Sequence, residues 1–224
     1  MRYKVVIFDL DGTLLDTLED LGAAVNHAMK TGGFPQHTMM EYRGMVGHGV
    51  RNLVAQALPE EARSEEQIDE SLAVFKAFYT SHIDVHTHPY PGMHELLETL
   101  NKEGVKMAVA SNKFQSGTEY LVKKFFGGIP FVAILGNREG FPLKPDPEIV
   151  AEVLRKADAA KEDAVLVGDS TTDMKTAANG GIRGIAVSWG YREMADGTVA
   201  SSAEELQMLL QLQELNVFLE LVHL

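Results

Sequence analysis

Val5-Val6-Ile7-Phe8-Asp9-Leu10-Asp11-Gly12-Thr13 is the stretch on which the fold turns. Four consecutive apolar residues, cut off by an acid, read as a short strand buried on both faces. Gly12 then lets the chain turn sharply, while Leu10, between two carboxylates, returns to the interior. Working outward, the same kind of run recurs at Met107-Ala108-Val109-Ala110, Phe131 to Leu135, Ala164 to Val167 and Gly184 to Val187. Helical patterns at Met93–Glu103, Ser116–Phe126, Pro147–Lys156 and Asp173–Asn179 separate them. Continuous apolar strands alternating with helices predict an α/β fold, a doubly wound parallel sheet of Rossmann-like form.

One interval departs from this rhythm. Residues 17–88 hold no convincing buried strand, but Leu18, Leu21, Val25 and Met29 recur at helical spacing. Leu53 and Ala57 do the same, as do Leu72, Phe75, Phe78 and Tyr79. The expectation is a small helical cap at 17–88, inserted after the first strand into a core of residues 1–16 and 89–224. The acids Glu60, Glu61, Glu65, Glu66, Asp69 and Glu70 read as a solvated face of that insert.

Composition narrows the function classes. At 224 residues the chain is long enough to bury about 70% of its unfolded surface without staples. Lys and Arg number 20 against 32 Asp and Glu, a net charge of −12 that repels nucleic-acid backbones. The absence of cysteine removes disulfides, thiolate metal sites and thiol nucleophiles, and fits a reducing cytoplasm. The first apolar run is too short for a signal-peptide core. The leucine-rich stretch from Leu206 to Leu224 is interrupted by Gln211, Gln213, Glu214, Asn216 and Glu220, so it reads as an amphipathic helix rather than a membrane span. A protein with neither nucleic-acid nor membrane partners is expected, acting as a monomer or homodimer.

The chemistry sits where strands end. Ligands of open α/β sheets collect beyond the carboxyl ends of strands. Asp9 and Asp11 follow the first strand, Ser111-Asn112-Lys113 the second, and Gly168-Asp169-Ser170-Thr171-Thr172-Asp173 the fourth. Lys144-Pro145-Asp146-Pro147 lies in a loop before a helix. Singly, each is ordinary turn, cap or surface chemistry; as an ordered set they describe a site. Gathered carboxylates repel one another unless a cation neutralises them, and an all-oxygen donor set favours hard Mg²⁺. A hydroxyl, loop amides and lysines can hold phosphoryl oxygens, one carboxylate can attack, and a neighbour can carry a proton. No GxxxxGK loop is present, so a P-loop nucleotide hydrolase is not indicated.

Asp9-Leu10-Asp11-Gly12-Thr13-Leu14-Leu15-Asp16-Thr17, Ser111-Asn112-Lys113, Lys144-Pro145-Asp146-Pro147 and Gly168-Asp169-Ser170 with Asp173 resemble, in order, the four motifs of the haloacid-dehalogenase-like phosphatases. The resemblance implies that Asp9 is the nucleophile and Asp11 the general acid and later base. It implies Mg²⁺ held by Asp9, the backbone carbonyl of Asp11 and Asp169, with Asp173 supporting that shell. Ser111, Asn112 and Lys144 would bind the phosphate. Asp11 speaks against the founding dehalogenases, which lack an acid there. Val46-Gly47-His48-Gly49-Val50-Arg51 and Ser188-Trp189-Gly190-Tyr191 are similar to segments of the phosphoglycolate phosphatase subfamily, although pyrophosphatases and sugar-phosphate phosphatases or mutases share much of the pattern. A small phosphorylated metabolite is therefore the expected substrate, with 2-phosphoglycolate first. His48 and Arg51 are the cap residues expected near it; Arg51 reads either as a ligand for a substrate carboxylate or as a helix-surface arginine. His82, His86 and His88 have spacings a transition metal can use but no nearby Glu or Cys, and Trp189 reads as packing. A non-catalytic phosphate-binding or receiver-like signalling module is the rival from another class.

Overall fold

The computed structural model describes residues 2–194 and 197–212. Six strands form one parallel sheet: β1 (Val5–Phe8), β4 (Lys106–Phe114), β5 (Phe131–Asn137), β6 (Ala164–Gly168), β7 (Arg183–Val187) and β8 (Val199–Ala200). Their order is β5-β4-β1-β6-β7-β8. From β1 the chain winds outward to β4 and β5, then crosses back to add β6, β7 and β8 on the other side. The reversal opens a crevice between the carboxyl ends of β1 and β6, the place where such sheets take ligands. In register, Phe8 faces Val167 across that pair, so Asp9 and Asp169 sit near each other at its mouth.

Alternation along the strands divides the apolar side chains between two faces. Val6, Phe8, Met107, Val109, Val165 and Val167 pack with α5 (Met93–Lys102), α6 (Gln115–Phe126) and α9 (Ala203–Gln211). Val5, Ile7, Ala108, Ala110 and Leu166 pack with α7 (Glu148–Ala157) and α8 (Thr171–Gly180). Both faces are covered, which is why these strands read as unbroken apolar runs. The doubly wound parallel sheet expected from sequence is the fold observed.

Between β2 (Leu15–Asp16) and β3 (His88–Pro89) lie four helices: α1 (Leu18–Thr31), α2 (Met39–Met45), α3 (Val50–Ala57) and α4 (Glu65–His82). Leu21, Val25 and Met29 of α1 are buried with Leu53, Ala57, Phe75 and Tyr79, while Leu72 and Phe78 are only partly covered. Strands β2 and β3 pair antiparallel, Leu15 with Pro89 and Asp16 with His88, as a separate two-stranded ribbon through which the insert leaves and rejoins the core. Buried Asp20 fastens this stem: its carboxylate accepts the backbone N–H of His86 at 3.0 Å and that of Thr87 at 2.8 Å.

Three boundaries differ from the sequence expectation. Strand β4 runs on to Phe114, with a register shift between Ala110 and Phe114, so Ser111-Asn112-Lys113 lies within an irregular strand end instead of past it. Strands β2, β3 and β8 went unread because two-residue strands carry no periodicity. Of the leucine-rich tail, α9 buries Leu206 and Leu210; positions 213–224 lie outside the described residues. No helix among the described residues is long and apolar enough to cross a membrane.

Candidate active site

A small, partly open pocket of about 40 Å³ lies over the crevice between β1 and β6. Asp9, Asp11, Ser111, Asn112, Lys113 and Asp169 line it from the sheet, and Leu21, Val46, Gly47, Gly49, Val50 and Leu53 from the helical insert. Ser170, Tyr191 and Arg192 complete the wall.

Asp9 is buried at the end of β1, its backbone N–H bonded to Val167 O at 2.9 Å. Its carboxylate accepts the Leu10 N–H at 2.7 Å and stands 2.9 Å from Lys144 Nζ. Lys144 is itself buried and donates to Asp173 Oδ1 at 2.6 Å and to Ala110 O at 2.8 Å. Burial opposes the Lys144 cation, but Asp173 and Asp9 outweigh it and hold the ammonium above its usual range. Its backbone is fixed by Asn112, which accepts Lys144 N–H at 2.8 Å and donates to Lys144 O at 3.1 Å.

Asp173 occupies the third position of α8, where a carboxylate suits both the helix dipole and a capping box. Its Oδ2 accepts the Ser170 N–H at 3.1 Å and the Ser170 hydroxyl, while Ser170 Oγ accepts the Asp173 N–H. Asp169 is clasped differently. Its Oδ2 accepts the Tyr191 N–H at 2.7 Å, and Gly12 and Gly190 close on it from two sides. A Cβ at Gly190 would fall 2.2 Å from Asp169 Cβ, and one at Gly12, whose φ is +85°, 2.3 Å from Asp169 Oδ2. Neither position tolerates a side chain without displacing the acid.

Asp9, Asp169 and Asp173 each place a carboxylate oxygen within 4.8 Å of the others. Burial, then repulsion from Asp173, lifts Asp9 to about 8 despite Lys144, with Asp169 adding to the effect. Burial and Asp173 likewise lift Asp169 to about 7. The cluster is short of positive charge, and its donors are all hard oxygens, so it fits a divalent ion such as Mg²⁺.

Asp11 points toward the helical insert. Its Oδ1 accepts from Thr17 Oγ1 at 2.7 Å and from Lys113 Nζ at 3.1 Å. Lys113, almost wholly buried, also donates to Tyr79 Oη of α4 at 2.6 Å. Thr17 in turn gives its backbone N–H to Tyr191 Oη at 2.7 Å. Ser111 Oγ accepts the Lys113 N–H at 3.2 Å, leaving the hydroxyl proton for a ligand.

The structure therefore brings Asp9, Asp11, Ser111, Asn112 and Asp169 to one cavity, with Lys144 and Asp173 directly behind Asp9. Lys144, expected to grip phosphate, places its ammonium between the carboxylates of Asp9 and Asp173 and the Ala110 carbonyl, 2.9 Å from Asp9. Asn112 spends its amide on Lys144 and on Gly47 O, 3.1 Å away, joining sheet to insert. The two cap residues lie away from the pocket. His48 is exposed and does not line the cavity. Arg51 also lies outside it, paired with Asp69 and Glu65 of the acidic face across the α3–α4 contact. The surface-arginine reading is the one that fits, because those two acids already neutralise it. Tyr79 and Arg192 escaped sequence reasoning, whereas Thr17 and Tyr191 fall inside stretches that the resemblance covers but that assign neither of them a role. Trp189 donates to Thr13 O at 3.1 Å beside Tyr90 and packs, as expected. His82, His86 and His88 bond to separate partners, and the aspartate trio is the only metal-competent cluster among the described residues.

With this geometry in hand, the likenesses to known proteins are informative. The family model for haloacid dehalogenase-like hydrolases matches residues 6–187. A phosphoglycolate phosphatase of Mesorhizobium japonicum is 34% identical over 195 residues, covering 86% of each chain. Phosphoglycolate phosphatase 1 of Pseudomonas aeruginosa is 36% identical over 194 residues, 84% of this chain and 70% of the relative. A solved structure from Lactobacillus delbrueckii subsp. bulgaricus, described as a candidate phosphoglycolate phosphatase, superposes with a TM-score of 0.89 at 32% identity over 94% of this chain and 99% of that one.

Proposed function

Because the chain belongs to the haloacid dehalogenase-like hydrolase family, we propose that it is a Mg²⁺-dependent phosphatase that hydrolyses 2-phosphoglycolate to glycolate and phosphate through an aspartyl phosphate on Asp9. The observation that carries this reading is the buried Asp9 carboxylate, set among Asp169, Asp173 and Lys144 at the topological switch of the sheet. The similarity to phosphoglycolate phosphatases over most of the chain supports the substrate.

Asp9, Asp169 and the neighbouring loop would hold the ion, which when bound offsets the charge of carboxylates and phosphoryl oxygens. Ser111 donates its hydroxyl to a non-bridging oxygen. Asp9 attacks phosphorus, and the P–O bond to the organic group breaks as the departing oxygen takes a proton from Asp11. Water then attacks the phosphorus of the Asp9 phosphate, gives a proton to Asp11, and restores both carboxyl groups. Thr17 and Lys113 hold Asp11 ready for both transfers. Residues 17–88 act as a cap that excludes solvent and selects substrate, because the sheet residues recognise only features common to all phosphate esters.

The test is turnover of 2-phosphoglycolate, pyrophosphate, sugar phosphates and an aryl phosphate with Mg²⁺, by wild type and by Asp9→Asn. Turnover by wild type, an Asp9-linked phosphoryl group seen by mass spectrometry after acid quenching, and loss of about a thousandfold or more in the variant are expected. Near-normal activity of Asp9→Asn would replace covalent catalysis with direct attack by water, and no turnover of any ester would leave a phosphate-binding module.

A further inference from the structure

The cavity contains one charged group that the proposed chemistry does not use. Arg192 follows β7 and lines the same cavity as Asp9. The cavity's other cation, Lys113, is held by Asp11 and Tyr79, and Lys144 behind it is held by Asp9 and Asp173. Arg192 has no carboxylate partner among the described residues. One nitrogen, Nη2, donates to Val46 O at 2.8 Å and Gly44 O at 3.1 Å, which fixes the half-buried guanidinium against the insert. Nε and Nη1 have no bond to any described residue.

We propose that Arg192 is the subsite for the carboxylate of the substrate, a role that rests on the phosphatase reading given above. A small phosphorylated acid carries two anionic ends. The phosphoryl end is met by Ser111 and the ion held by the aspartates. The other end faces the insert, where Leu21, Val46, Val50 and Leu53 offer no charge. Burying a carboxylate against such a wall is costly unless a cation meets it, and the unengaged Nε or Nη1 of Arg192 can give one carboxylate oxygen a charge-assisted hydrogen bond while Nη2 stays on the insert. Anchoring by two backbone carbonyls of the insert means that the guanidinium is held in place only when the insert is closed. Recognition of the acid and closure of the site are thereby one event, which favours carboxylated phosphates over neutral ones of equal size.

The experiment compares 2-phosphoglycolate with 2-hydroxyethyl phosphate, which has the same length and a similar leaving group but no carboxylate. Wild type should prefer the acid, and Arg192→Ala should lower the ratio of the two kcat/KM values by about ten- to a hundredfold, with Arg192→Lys in between. A fall in both substrates that leaves the ratio unchanged would show that Arg192 only latches the insert, and would overturn the subsite. So would a wild type with no preference for the acid. Calorimetric binding of the same two ligands to Asp9→Asn and to Asp9→Asn/Arg192→Ala reads the subsite without turnover. If no ester is hydrolysed but the second substitution still abolishes a preference for the acid, the catalytic reading fails and the subsite stands. Thermal melting confirms that each variant is folded before comparison.

Discussion

Binding of Mg²⁺ should expel protons, by an amount the site itself sets. Without an ion, burial and mutual repulsion hold Asp9 at about 8 and Asp169 at about 7, both far above the ordinary 3.8. At pH 7 carboxyls held at about 8 and about 7 keep a large share of their protons, so loading the ion releases on the order of one proton. At pH 9 both groups are already ionised and the release falls below about 0.2. Titration calorimetry of the ion-free protein with MgCl₂, repeated in buffers of different ionisation enthalpy, gives the number directly. Apparent affinity should rise with pH between about 6 and 8 and then level. A raised acid pKa also carries a stability consequence with a definite sign. The folded state binds protons that the unfolded state has lost, so the contribution is complete below 3.8 and disappears as pH climbs toward about 8. The ion-free protein should therefore melt at lower temperature as pH rises from 5 to 8, and added Mg²⁺ should recover most at the upper end. Release near zero at pH 7, or release independent of pH, would refute the electrostatic account of the cluster.

Three further outcomes follow from the contacts. Lys144→Met should cost about 3–5 kcal/mol in urea unfolding, because Asp173 and Asp9 lose their common buried partner; a loss under about 1 kcal/mol would mean that the pairing carries little. Tyr79→Phe removes an acceptor from the lysine that steadies Asp11, so kcat on an alkyl phosphate should fall about fivefold, with a smaller effect on an aryl phosphate, whose leaving group needs less help from an acid. Arg51→Ala should leave kcat/KM on 2-phosphoglycolate within about twofold, as its partners are the exposed acids Asp69 and Glu65; a tenfold loss would return Arg51 to the site.

What the sequence discloses and what it hides have physical causes. The sheet is legible because strands covered on both faces must be apolar throughout, as in Val5 to Phe8 and Ala164 to Val167. Asp9, Ser111 and Asp169 are legible because the carboxyl ends of adjacent parallel strands converge on one crevice, so position along the chain becomes position in the site. The wall contributed by the insert lacks this rule. Arg51 is the second residue of α3, beside a glycine-flanked loop, yet helix rotation directs it to the acidic face of α4. Arg192 lies some 140 residues from the loop that it meets, and no period or spacing links the two. The carbonyl bonds of Arg192 are likewise invisible to composition, since every residue has a carbonyl. Asn112, expected to bind phosphate, lines the pocket while its side-chain amide holds backbone groups of Lys144 and Gly47, contacts that no sequence pattern announces.

The two-stranded stem at Leu15–Asp16 and His88–Pro89 has a bearing on how such proteins diversify. Paired strands run about 4.8 Å apart, so the points of exit and return nearly coincide. From the standpoint of the sheet, the helical segment is a loop with its ends already joined, and its length scarcely registers: each doubling of a loop costs about 0.6 kcal/mol in closure entropy. Asp20 tightens that joint from within the segment by taking the amides of His86 and Thr87. A different segment could be exchanged at the same two points, longer, shorter or differently folded, without disturbing the register of β1 against β4 and β6. Recombination at this joint would change what the enzyme admits while leaving Asp9, Ser111 and Asp169 on the sheet, provided that the new segment renews the hold that Thr17 and Tyr79 keep on Asp11 and Lys113.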